Sequence, residues 1–113
     1  MSTFQATISE LYPFEPSAVR PAVDARKRQL EAGTADPIDI LVIGNEKLVV
    51  EGNNTVQAAI ELGLTQVEAR YTVRDKQSMP VYEGALVQAK QNGLKGFFNF
   101  PIDDSKADRA KRY

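Results

Sequence analysis

The stretch LVVEGNNTVQAAIELG, residues 48–63, constrains the chain more than any other. An apolar run ends at Glu51, and an alanine-rich helical pattern begins almost at once. Gly52, Asn53, Asn54 and Thr55 fill the junction, with no histidine, cysteine or arginine beside them. A strand that turns directly into a helix commits the chain to a mixed α/β architecture. It also exposes several backbone N–H groups at the helix start, where the helix dipole favours an anion.

The elements around this junction follow from pattern. Residues 3–11, TFQATISEL, alternate loosely and are rich in β-branched types, so they read as one strand ending near Leu11. YPFEPS carries two prolines and reads as a loop. A helix is expected from Arg20 to Ala32, with Pro21 in its first turn and Gly33 as its stop. PIDILVI and KLVVE flank GNE and read as a hairpin. The second helix is expected from Asn54 to Leu62, closed by Gly63. TQVEARYTV alternates Val67, Ala69, Tyr71 and Val73 against polar residues, as in a half-buried strand. A last helix is expected from Pro80 to Asn92, with Ser78 as cap. LKGFFNFPI holds Phe97, Phe98 and Phe100, which read as core packing of the C-terminal segment, with base stacking or a partner contact as the alternative. The order is β-α-β-β-α-β-α, an α/β (α+β) mixed-sheet domain over residues 1–102 with a polar tail over 103–113.

Composition removes several chemistries. With 42% apolar and 26% charged residues in 113, the chain is an ordinary globular domain rather than a disordered one. A net charge of −1 argues against a broad positive face for nucleic acid. There is no cysteine, which excludes disulfides, thiolate nucleophiles and cysteine metal sites. There is no histidine, which removes the commonest general base and metal ligand. No metal site is expected. Neither a signal peptide nor a membrane-length apolar run is present, so a cytoplasmic protein without membrane contact is the expectation.

The junction itself has two local readings. Asn53 or Asn54 caps the helix, or Gly52, Asn53, Asn54 and Thr55 cradle an anion. Gly52 lets a ligand approach the backbone, and the amides can donate and accept. Thr55 could cap or place a hydroxyl on a phosphate. Glu51 is the carboxylate beside the box and the candidate base or metal ligand in an enzyme. Arg20, Arg26, Lys27 and Arg28 are the cations within candidate reach of a phosphate, against a solvated helix end as the plainer reading.

Three blocks of sequence together resemble the ParB/sulfiredoxin-like domain family: KRQLEAG at residues 27–33, DPIDILVIGNEKLVVEGNNTVQAAIELG at 36–63, and VEARYTV at 67–73. In that family a hairpin leads to an acidic-or-glycine box that opens an alanine-rich helix, and another strand follows. The resemblance implies nucleotide phosphates bound at that helix start, as in CTP-binding partition proteins, ATP-using sulfinic-acid reductases and free-serine kinases. This chain departs from the pattern at the box. Asn53, Asn54 and Thr55 stand where members usually carry His or Glu and then Arg, so the bidentate phosphate grip is missing. The sulfiredoxin cysteine is absent. There is no room for the helix-turn-helix of partition proteins, so sequence-specific DNA binding is not expected.

The expectation is therefore a small ParB/sulfiredoxin-like binding module, leaning away from catalysis. It carries a weakened site for a nucleotide, with or without magnesium, or for a phosphorylated small molecule. Two alternatives stay open: a phosphotransferase or nuclease using Glu51, and a protein-interaction or self-association module with a vestigial pocket.

Overall fold

The N-terminal stretch expected to form one strand divides in two in the computed structural model, which describes residues 2–104. β1 (Phe4–Thr7) and β2 (Leu11–Pro13) are separated by a 3₁₀ turn at Ile8–Glu10. They lie at opposite edges of one five-stranded sheet. Part of the expected YPFEPS loop is thus strand. Pro13, which has no N–H to give to a ladder, is tolerated because β2 is an edge. Two further residues, β3 (Ala18–Val19), lead straight into α1 (Arg20–Ala32), which begins and ends where the sequence places it.

The hairpin is the centre of the sheet. β4 (Ile38–Ile43) and β5 (Glu46–Glu51) pair antiparallel across the two-residue turn Gly44–Asn45. Their Ile38, Ile40, Leu48 and Val49 are fully buried. Burying each such side chain stabilises the fold by about 1.5–3 kcal/mol. α2 (Asn53–Glu61) follows β5 directly, and β6 (Gln66–Thr72) returns parallel to β4. The strand order is β1-β6-β4-β5-β2, with β1 antiparallel to β6 and β2 parallel to β5. A flat sheet would hold β1 and β2 four spacings apart, about 19 Å. The chain from Thr7 to Leu11 reaches about 14 Å at most. The sheet therefore curls until its two edges approach. The Ile8 N–H donates to the Thr65 carbonyl at 3.0 Å and fixes the crossing.

α1 and α2 pack on one another, α2 reaches β4 and β6, and α3 (Met79–Gln91) lies over β2 and β5. Ser78 stands at the cap position of α3, but its hydroxyl turns back to Asp75 instead of capping the helix. In β6, Val67 and Ala69 face the core as expected, while Tyr71 and Val73 are exposed. The ladder of β1 stops at Phe4↔Ala69, so Tyr71 pairs only with Ile40 of β4 and is open on the β1 side, where its ring stacks on Phe4. Val73 lies past the end of β6.

Phe97 and Phe100 are core residues, in edge-to-face contact at 4.9 Å, and Phe98 points outward. A 3₁₀ turn, Lys95–Phe97, leads from α3 toward β7 (Ile102–Asp103). β7 pairs parallel with β3 in a separate two-stranded sheet. The strand includes Asp103, one residue beyond the sequence-based boundary of the domain. Residues 105–113, the rest of the expected polar tail, lie outside the described residues. Among the described residues no helix is long and apolar enough to cross a membrane.

Candidate functional site

The box opens α2 without a side-chain cap. Gly52 occupies the N-cap position with φ +101°, a left-handed conformation that disfavours side chains. Space excludes a side chain as well. A β-carbon there would meet Ile38 of the neighbouring strand, so the strand-to-helix turn passes hard against β4. The Val56 N–H makes the first intrahelical bond, to the Gly52 carbonyl at 3.0 Å. The N–H groups of Asn53, Asn54 and Thr55 precede it and have no acceptor within the helix.

Neither asparagine caps the helix; both reach across to the segment between β2 and α1. Asn53 is buried. Its Oδ1 accepts the Phe14 N–H at 3.1 Å, and its Nδ2 donates to the Val49 carbonyl at 3.1 Å. Asn54 Oδ1 accepts the Val19 N–H at 2.9 Å. The segment Phe14–Val19 is thereby hung on the box and becomes the wall of a cleft. Nothing local in the sequence signals these bonds, because their partners lie 39 and 35 positions away.

Two polar clefts share this corner. The first, of about 310 Å³, lies between the wall and the box and is lined by Ser17, Arg26, Glu51, Gly52, Asn53 and Asn54 among others. The second, of about 340 Å³, lies on the other side of Glu51 and Gly52, and also takes in Arg26, Thr55, Asp39 and Arg70. Asp39 and Arg70 are paired with each other across β4 and β6. A larger groove of about 400 Å³ runs behind the wall, against α3. It is mostly apolar and carries no cationic side chain.

The candidate cations separate by position. Arg26 lines both clefts, and its guanidinium donates to Gln29 Oε1 at 2.9 Å. Arg20 lines neither. It makes a two-pronged contact with Glu61, at 2.9 and 3.0 Å, and a third with Asp24 at 3.2 Å. Lys27 also donates to Glu61, at 3.2 Å. Bonding to Arg20 first, then to Lys27 and Gln57, holds the Glu61 carboxyl at about 2, against an opposing push from burial. This cluster ties α1 to the far end of α2. Arg28 is exposed on α1 and lines neither cleft. The structure therefore brings together Glu51, Gly52, Asn53, Asn54 and Arg26, with Thr55 buried on the second-cleft side. Among the described residues no group of three or more acidic side chains is placed to hold a metal ion.

The arrangement of strands and helices matches solved structures over most of the chain. Sulfiredoxin from Arabidopsis thaliana superposes with a TM-score of 0.60 at 14% identity, covering 74% of this chain and 98% of that one. The fold is ParB/sulfiredoxin-like. A C-terminally truncated chromosome-partitioning protein ParB from Caulobacter crescentus, solved with CTP-γ-S, superposes with a TM-score of 0.54 at 22% identity. That match covers 80% of this chain and 54% of the ParB chain, so this chain spans about half the length of that protein. No protein-family model and no curated protein matches the sequence. The ParB/sulfiredoxin-like core here is thus recognised by shape, and at the start of its α2 two asparagines hold a wall.

Proposed function

We propose that this chain is a non-catalytic binding module that takes a nucleotide or a phosphorylated small molecule in the first cleft. The observation that carries this reading is the lining of that cleft by both the uncapped start of α2 and Arg26. Backbone N–H groups and the helix dipole attract an anion there. Arg26 supplies a full positive charge in place of the arginine the box lacks. The ParB neighbour solved with CTP-γ-S supports a nucleotide as the ligand class. Glu15 and Glu51 also line the cleft and oppose an anion. A magnesium ion brought on the phosphates would offset them, since such ions are commonly held by substrate oxygens with one or two carboxylates. Binding is therefore weak and sensitive to salt.

A thermal-shift series with CTP, ATP and phosphorylated metabolites, with and without magnesium, tests the reading. Ligand at a hundred times its dissociation constant stabilises the fold by about 2.7 kcal/mol. For a domain of this size that is on the order of ten degrees in Tm. Shifts below about one degree with every ligand at millimolar concentration reject the site.

The enzyme reading rests on Glu51, which is exposed and lines both clefts. Nucleotide turnover that disappears in Glu51→Gln would support it over simple binding. Concentration-dependent size with no ligand effect would support self-association instead.

A further inference from the structure

We propose that the segment Phe14–Val19 is a strap held jointly by the box and by β7, so that the seating of the C-terminal strand sets the shape and affinity of the first cleft. The strap has two faces. On the box side, Asn54 accepts the Val19 N–H, and Asn53 shares the Phe14 N–H with the Val49 carbonyl of β5. On the other side, the Ala18 N–H donates to the Pro101 carbonyl at 2.8 Å, and Ala18 and Val19 pair with Ile102 and Asp103. Successive N–H groups at Ala18 and Val19 thus point to different holders, one beside β7 and one in the cleft.

Neither hold is strong alone. β3 is two residues long, and a pair of such short strands is not stable by itself. Between its ends the strap carries Glu15, Pro16 and Ser17, and Pro16 has no N–H to contribute a further bond. Arg20, the first residue of α1, adds a contact between its Nε and Asp104 Oδ1 at 3.6 Å, which ties the base of the strap to the same terminal segment. Loss of β7 frees Ala18 and lets Val19 leave Asn54. The cleft, whose lining includes Glu15, Pro16, Ser17 and Val19, then loses its wall. Linkage is reciprocal: a ligand that fixes the strap favours the seated β7 by the same factor.

The effect on ligand rests on the binding reading above; the coupling of β7 to the strap does not, and the two are measured separately. Amide hydrogen exchange on the full chain reads the coupling without ligand. Ile102→Asp places a carboxylate on the half-buried face of β7, and Asp103→Pro removes a backbone N–H from the same strand without adding charge. In either variant the Ala18 and Val19 amides are expected to exchange about tenfold faster or more, with the central amides of β4 and β6 unchanged and the Phe14 amide still held by the Val49 carbonyl. Parental protection of Val19 in the folded variants overturns the proposal. The second arm measures CTP with magnesium, whose dissociation constant is expected to rise about fivefold or more in both variants. A parent that binds CTP with variants that bind it equally well also overturns the regulatory coupling. A parent that binds no nucleotide counts against the binding reading alone, and the exchange result still decides the strap.

Discussion

A β-carbon built on Gly52 would lie 2.5 Å from Ile38 Cγ2 and 2.9 Å from Ile38 Cβ, in the middle of the sheet. The turn from β5 into α2 is therefore set by contact with β4 as much as by backbone preference. Gly52→Ala meets both obstacles. Left-handed backbone costs a non-glycine residue about 1–2 kcal/mol, and forced overpacking a further 1–3. A loss of roughly 2–5 kcal/mol in urea denaturation is expected. Gly44→Ala is the control. Its φ is +61° but nothing lies within 4 Å of the added carbon. It should cost about 1 kcal/mol, from backbone conformation alone. Equal losses in the two variants would remove the close contact as a cause.

The two box asparagines should differ in their effect on stability. Asn53→Ala deletes two hydrogen bonds at a buried site, while the Phe14 N–H and the Val49 carbonyl keep their bond to each other, so about 2 kcal/mol is expected. Asn54→Ala releases one N–H, that of Val19, at a partly buried site and should cost about 1 kcal/mol. Equilibrium unfolding of both variants checks the ranking. The reverse order would mean that Asn54, not Asn53, carries the wall.

Arg26 and Arg28 provide a paired test of the anion site. Arg26→Ala should weaken nucleotide binding about tenfold, the effect of one charge-assisted contact, and flatten its salt dependence. Stability should change by no more than about 0.5 kcal/mol, because Arg26 bonds only Gln29 in its own helix turn among the described residues. Arg28→Ala, on the exposed face, should leave affinity unchanged. Isothermal titration at two salt concentrations distinguishes them.

The Glu61 cluster gives the fold a defined acid response. The carboxyl is held at about 2, below its ordinary value of 4.5, chiefly by Arg20. Its contribution is complete above about pH 4.5 and is lost as pH falls toward 2. Glu61→Gln should cost about 1–2 kcal/mol at pH 7, at the low end for charge-assisted bonds because Arg20 and Lys27 remain partly hydrated. The difference in Tm between parent and variant should shrink as the pH is lowered through that window. A constant difference would assign the loss to packing.

The sequence made α1, the hairpin and α2 legible because each rests on local chemistry. Pro21 suits a first turn, Gly33 a helix stop, and Gly44–Asn45 a tight reversal between two apolar runs. The mixed α/β class followed from those elements. β2, β3 and β7 were not legible. They are two or three residues long, two of them border prolines, and each exists only because a distant strand supplies its partner. Tyr71 was misassigned to the core because alternation reports a face but not whether a neighbouring strand extends far enough to cover it. The box was located by pattern, but the role of its asparagines was hidden. A carboxamide next to a helix start reads as a cap. Its use as a long-range acceptor depends on where the chain before α1 passes.

β1 and β2 belong to one continuous stretch that hems both margins of the sheet. Unpaired strand edges are templates for association with other chains. A single cut near Ser9, or slow arrival of this stretch during folding, would leave β6 and β5 bare together. One short stretch thus guards two separate strand edges. Strain placed on this stretch would be felt at opposite borders of the sheet at once.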